Sequence, residues 1–209
     1  LSRVYHFMEK NGMNSSRLLV MRLGKPMFTD ETDTAAVYMN KAKNYKMINF
    51  IFNKKFFNKL PLKHLAGVLL HESMHCILDH INISRLGNLN PKIWNLACDA
   101  VINDMIMDNY PHINFEKIKI FDTKDDETQL ITGMKLIGEN CADKTCEEVY
   151  QICLNKYGKD KSIIIDEQTI DDHRNWMDNI DDEGLKQKIR ENIDKIIQDS
   201  SGKDDKIRN

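Results

Sequence analysis

The chain has 209 residues, 41% of them hydrophobic and 30% charged, which suits a globular domain with its own core and excludes a disordered chain. With 30 basic residues against 32 acidic the net charge is −2. No field of one sign points to nucleic acid or an anionic membrane as partner. The first ten residues lack the apolar stretch of a signal peptide, and no run approaches the ~18 apolar residues of a membrane span. The expected location is the cytoplasm.

In chain order, residues 1–23 read as one or two amphipathic helices broken near Gly12. Lys25 to Thr34 reads as loop, because Gly24, Pro26 and several acids interrupt any pattern. Two short apolar runs, 35–39 and 46–52, read as strands. Pro61 suits the first position of a helix, and Leu65, Ala66, Leu69, Leu70, Met74, Ile77 and Leu78 continue at helical spacing to about His80. Asn90-Pro91, a cap residue followed by proline, opens a second helix that runs to about Met107 and closes at Tyr110-Pro111. These two helices carry the densest apolar patterning.

The remainder is more polar. Asp122 to Thr128 reads as loop, and Thr145 with Glu148 forms a capping-box pattern ahead of a helix. Ile163–Ile165 is a candidate strand, Gly184 to Asp199 a charged amphipathic helix, and the tail from Ser200 is expected to be disordered. The expected division is a domain over residues 1–180 and a charged helix with a flexible tail over 181–209. Cys76, Cys98, Cys141, Cys146 and Cys153 form neither a disulfide framework nor the paired spacing of structural zinc sites, so reduced thiols, several of them buried, are expected.

The chemistry concentrates in His71-Glu72-Ser73-Met74-His75. At about 100° per residue, His71 and His75 lie about 40° apart on one helix face. Two imidazoles so placed can share one tetrahedral ion, and zinc held this way lowers the pKa of a bound water to about 7. Glu72 sits where a carboxylate can take that water's proton and pass it to a leaving amine. The same letters could also spell a solvent-facing stripe, although the run lies within an apolar helix, where polar groups are costly unless paired or bound to metal.

A third protein ligand remains to be found. His80 would point about 180° away on an unbroken helix, and no glycine precedes it to end the helix early. A capping or ligand-supporting role suits it better. On the second helix Asn95, Asp99 and Asn103 form one polar line, and periodicity alone lets that line face water as readily as a metal. If it faces the metal, Asp99 is the ligand and the two asparagines orient it.

The segment from Leu69 to Asp104, with HESMHCILDH followed by PKIWNLACDAVIND, resembles the metallopeptidase domain found beside von Willebrand factor A-like domains in bacteria and phages. The matching positions are His71, Glu72, His75 and His80, then Trp94, Asn95, Ala97, Asp99 and Asn103. Residues 34–59, Thr145 to Tyr150 and Asp171 to Trp176 fit further parts of the same pattern. The resemblance implies a zincin-like α+β fold, mostly helical with a small sheet and the motif on a central helix. It also implies zinc as cofactor and hydrolysis of a protein or peptide substrate. It favours Asp99 as third ligand over His80 or His173, and suggests that His173 donates a hydrogen bond to the oxyanion. A von Willebrand factor A-like domain is the partner it implies, but Asp199-Ser-Ser-Gly does not reproduce that domain's metal-binding pattern.

Two other readings stand beside the peptidase. A zinc-stabilised protein-binding module would use the same residues for folding, with a closed coordination shell. A deformylase-type amidase would need an upstream cysteine ligand, and the chain has none before Cys76.

Overall fold

The computed structural model describes residues 1–39, 48–80, 89–118, 130–157 and 183–201. The chain divides into two compact units, residues 1–82 with 172–209, and residues 83–171.

The first unit opens with helices α1 (Ser2–Lys10) and α2 (Asn14–Leu23), separated at Gly12, whose φ of 74° suits a residue without a side chain. Strands β1 (Gly24–Thr29), β2 (Ala35–Met39) and β3 (Ile48–Asn53) form a sheet of order β1-β3-β2. β1 runs parallel to β3, with Pro26 opposite Phe50, and β2 runs antiparallel to β3, with Val37 opposite Phe50. The strand at 24–29 corrects the expectation of a loop over residues 25–34. Pro26 weakens the local strand signal, but pairing with β3, which is distant in sequence, holds the segment extended. The two expected strands appear at 35–39 and 48–53, with 46 and 47 outside the described residues.

Helix α3 (Lys54–Lys59) follows β3 directly. The Asn53 side chain caps it, accepting from the N–H groups of Lys55 (2.8 Å) and Phe56 (3.1 Å), while its amide donates to the Thr32 carbonyl at 2.9 Å. Such a cap contributes about 1 kcal/mol. Phe28, Phe52 and Phe57 then meet in one aromatic cluster, with 5.1 Å between the Phe28 and Phe57 ring centroids.

Helix α4 (Leu62–Ile77) is buried nearly all round, the mark of a core helix rather than a surface one. It packs against α1, α2 and β2. The amphipathic helix α8 (Glu183–Ser201) packs against α2, and Ser200 and Ser201 belong to it rather than to a disordered tail.

In the second unit, helix α5 (Pro91–Asn109) starts where the Asn90 side chain accepts from Lys92 and Ile93 N–H groups. Two 3-10 turns follow, at Pro111–Ile113 and Phe115–Lys117, then α6 (Gly133–Leu136) and α7 (Cys146–Tyr157). The capping box ahead of α7 is present. Glu148 N–H donates to Thr145 Oγ1 at 3.2 Å, and Thr145 N–H donates to Glu148 Oε2 at 2.8 Å. The core of this unit joins Trp94, Ala97, Cys98 and Val101 of α5 to Leu136, Val149, Tyr150 and Cys153. The expected loop at 122–128 and strand at 163–165 lie outside the described residues. Overall the protein is α+β, mostly helical with a small sheet, and among the described residues no helix is long and apolar enough to cross a membrane.

Candidate metal-binding residues

His71, Glu72 and His75 are all completely buried on α4. The Nε2 atoms of His71 and His75 face each other at 3.0 Å, with the rings 4.7 Å apart. Two imidazole nitrogens bound to one tetrahedral zinc at ~2.0–2.1 Å would stand about 3.3 Å apart. The pair is therefore within a few tenths of an ångström of a metal-ready spacing, on one face of the helix. On the same helix Ser73 Oγ donates to the Leu69 carbonyl at 2.7 Å.

Cys76, one turn beyond Glu72, is also buried, and its thiol reaches toward the Glu72 carbonyl at 3.6 Å. Burial pushes its pKa well above the ordinary thiol value, and the Glu72 carboxylate raises it further. It therefore stays a neutral thiol beside the histidine pair.

α4 does not run to His80. It ends at Ile77, and Asp79 takes a left-handed conformation with φ of 57°. The Asp79 N–H donates to the Cys76 carbonyl (3.2 Å) and the His80 N–H to the His75 carbonyl (3.0 Å), the two bonds of a Schellman cap. Glycine usually occupies that position, and aspartate is one of the few other residues that tolerate it. The turn returns His80, which is buried, to the side of His75, where their Nδ1 atoms lie 3.2 Å apart. The expectation that His80 points away along a continuing helix is thus corrected, while a role supporting His75 fits the contact.

His64 is buried as well, on α4. Seven residues before His71 it lies only about 20° around the helix from it. Helical counting alone would have placed it on the histidine face.

Asp99 belongs to the second unit. Its side chain is 1% exposed on a helix whose other buried residues are mostly apolar. Asn95 approaches it with a long amide contact, Nδ2 to Oδ2 at 3.5 Å. Asn103, two turns beyond Asn95, donates its amide to the Ile131 carbonyl at 2.8 Å. That bond ties α5 to the segment before α6, a structural duty added to the ligand-orienting one expected of the polar line. Asp104, buried and not singled out by the polar line, accepts from the N–H groups of Gly133 (3.0 Å) and Cys141 (2.7 Å). His173 lies outside the described residues.

None of the five cysteines forms a disulfide, and all are buried. Burial, then a hydrogen bond that the Cys98 thiol donates to Cys146, holds Cys98 well above its ordinary pKa.

The two buried imidazoles on one core helix thus stand at a spacing that a single metal ion can share. The chain belongs to the family described as "Putative metallopeptidase domain", whose profile matches residues 18–135, more than half its length. A stretch of 59 residues is 37% identical to an "Uncharacterized protein" of Thermotoga maritima. The match covers 28% of this chain and 15% of that relative. No solved structure matches the chain.

Proposed function

We propose that the protein is a zinc-dependent metallopeptidase of zincin type, with His71, His75 and Asp99 as ligands and Glu72 as the acid–base residue. The observation that carries this reading is the 3.0 Å approach of the two buried Nε2 atoms. The three side chains offer two imidazole nitrogens and a carboxylate oxygen, a donor set suited to zinc. Each is buried, as expected of groups that are held by a metal ion rather than by solvent. Family membership and the order of the two motif segments support the same assignment.

When bound, zinc supplies a Lewis acid that polarises a carbonyl and acidifies water. The Glu72 carboxylate removes a proton from the attacking water and returns it to the nitrogen of the departing amine. Enclosure in a core helix keeps bulk water from competing for that proton. His173 is proposed to donate a hydrogen bond to the oxyanion, on the strength of the Asp171–Trp176 resemblance. The substrate is an extended peptide, and a von Willebrand factor A-like protein is the proposed partner.

Metal content by mass spectrometry on the purified chain, beside His75→Ala and Asp99→Ala, tests the reading. About one zinc per chain, lost in both variants, is the expected result. Zinc retained without Asp99 moves the third ligand elsewhere, and absence of metal after zinc is supplied refutes the peptidase.

A further inference from the structure

The contact between His75 and His80 has a chemical consequence that a helix motif alone does not reveal. A histidine that ligates a metal through Nε2 is neutral there, so its single remaining proton sits on Nδ1 and needs an acceptor. His75 turns Nε2 toward His71 and Nδ1 toward His80, at 3.0 and 3.2 Å. The group that meets His75 Nδ1 at 3.2 Å is the Nδ1 of a second buried imidazole, that of His80. That nitrogen accepts only when His80 carries its own proton on Nε2. Each ring therefore fixes the tautomer of the other.

We propose that His80 is the positioning residue for His75, accepting the His75 Nδ1–H so that the Nε2 lone pair is held toward the metal. The inference rests on the metal assignment above and goes one shell beyond it. The device is built by the end of α4. Asp79 in its left-handed conformation and the His80 N–H to His75 carbonyl bond anchor the acceptor to the main chain of the residue it serves. The two rings lie 5.2 Å apart at 73°, so the contact is edge-directed rather than stacked. Used this way, the His80 Nδ1 is occupied by a hydrogen bond and is not a ligand atom. Supporting hydrogen bonds of this kind fix ring orientation and raise ligand basicity, and their loss typically weakens metal affinity about 10- to 100-fold.

Two measurements on the full chain decide the matter. The first is zinc affinity, by competition with a chromophoric chelator, for the wild type, His80→Ala, His80→Asn and His80→Gln. The asparagine oxygen falls near the position of Nδ1, whereas the glutamine oxygen falls nearer Nε2. His80→Ala and His80→Gln should bind zinc about 10- to 100-fold more weakly with unchanged stoichiometry, and His80→Asn should recover most of the loss. Equal affinity in all four proteins overturns the proposal, and so does lost stoichiometry in His80→Ala, which would make His80 a ligand.

The second is 15N NMR of labelled histidines in the metal-free protein, where His75 should show a protonated Nδ1 and an unprotonated Nε2. A proton on His75 Nε2 in the wild type overturns the proposal. This readout needs no metal, so a wild type that binds no zinc would refute the peptidase while the tautomer still decides the role of His80. Should His80→Ala not fold, as judged by circular dichroism, the asparagine and glutamine pair carries the comparison.

Discussion

The main-chain N–H of His80 donates to the carbonyl of His75 at 3.0 Å across a turn in which Asp79 holds a φ of 57°. That one bond converts the end of an ordinary helix into the support for a candidate metal ligand. The Asp79 carboxylate also meets Arg190 of α8 at 3.6 Å, but the arginine is largely exposed, and such pairs contribute about 0–1 kcal/mol.

Backbone conformation, not charge, should therefore govern substitutions at position 79. Asp79→Gly relieves the left-handed conformation and loses a weak ion pair, so urea unfolding should place it within about 0.5 kcal/mol of wild type. Asp79→Val puts a β-branched residue where L-residues are disfavoured and should cost about 1–2 kcal/mol. Equal stability of the valine and glycine variants would show that the turn is not held in this conformation.

Glu72 is completely buried beside the histidine pair. Glu72→Gln keeps the side-chain volume but removes the group proposed to carry the proton. Peptidase turnover should fall about 10²- to 10⁴-fold with metal content unchanged. A variant that retains full activity would remove Glu72 from the chemistry, and one that loses its metal would recast it as part of the binding shell.

Features decided by neighbouring residues were the ones legible in the sequence. Asn90 ahead of Pro91 and Thr145 ahead of Glu148 announce helix starts, because the cap and its N–H partners lie within three residues. The histidine pair is legible for the same reason, since one helical turn places both rings on one face. β1 was missed because its strand character comes from parallel pairing with β3, and Pro26 hides it locally. The end of α4 was missed because aspartate rather than glycine occupies the left-handed position. α3 left a readable trace in Asn53, a strong cap residue, but its helix is only six residues long. Asp99 could not be told from a water-facing residue by periodicity, and only the resemblance to a family singled it out.

Asp104 and Gly133 form a clamp that can be tested from both sides. A Cβ at Gly133 would collide with Cys141 Sγ, the Glu139 carbonyl and Asp104 Oδ2. Two of the three obstacles are main chain or a short buried carboxylate, so the neighbours cannot swing clear. Gly133→Ala should destabilise the protein by about 1–3 kcal/mol in urea unfolding.

The Asp104 carboxylate has a raised pKa because burial outweighs the two N–H donors that favour its charged form. For a group raised in the folded state, the stabilisation is fully present below the unfolded pKa and is lost as pH rises through the folded one. Asp104→Asn keeps a carbonyl acceptor for the Gly133 and Cys141 N–H groups but carries no charge. Its stability relative to wild type should increase from below pH 3.8 through the raised pKa and then level off. A difference that does not change with pH would show that burial does not perturb this carboxyl.

Two thiols of the second unit extend the same reasoning to alkaline pH. Burial pushes Cys141 up to about 12, with the Asp104 carboxylate adding to the effect, and Cys153 up to about 11, against an ordinary value of 9.0. Both are raised, so their contribution is intact below about pH 9 and disappears as pH rises toward 11 and 12. The unfolded chain forms thiolates in that window, whereas the folded chain does not. Urea unfolding from pH 7 to 10.5 should show stability falling above pH 9, and the fall should be shallower in a Cys141→Ala, Cys153→Ala double variant. At pH 8, iodoacetamide should label these two positions slowly in the native protein and rapidly once urea unfolds it, because the thiolate is the reacting form. Rapid labelling of Cys141 in the native state would mean that its sulfur meets solvent and that the packing around the Asp104 clamp is open.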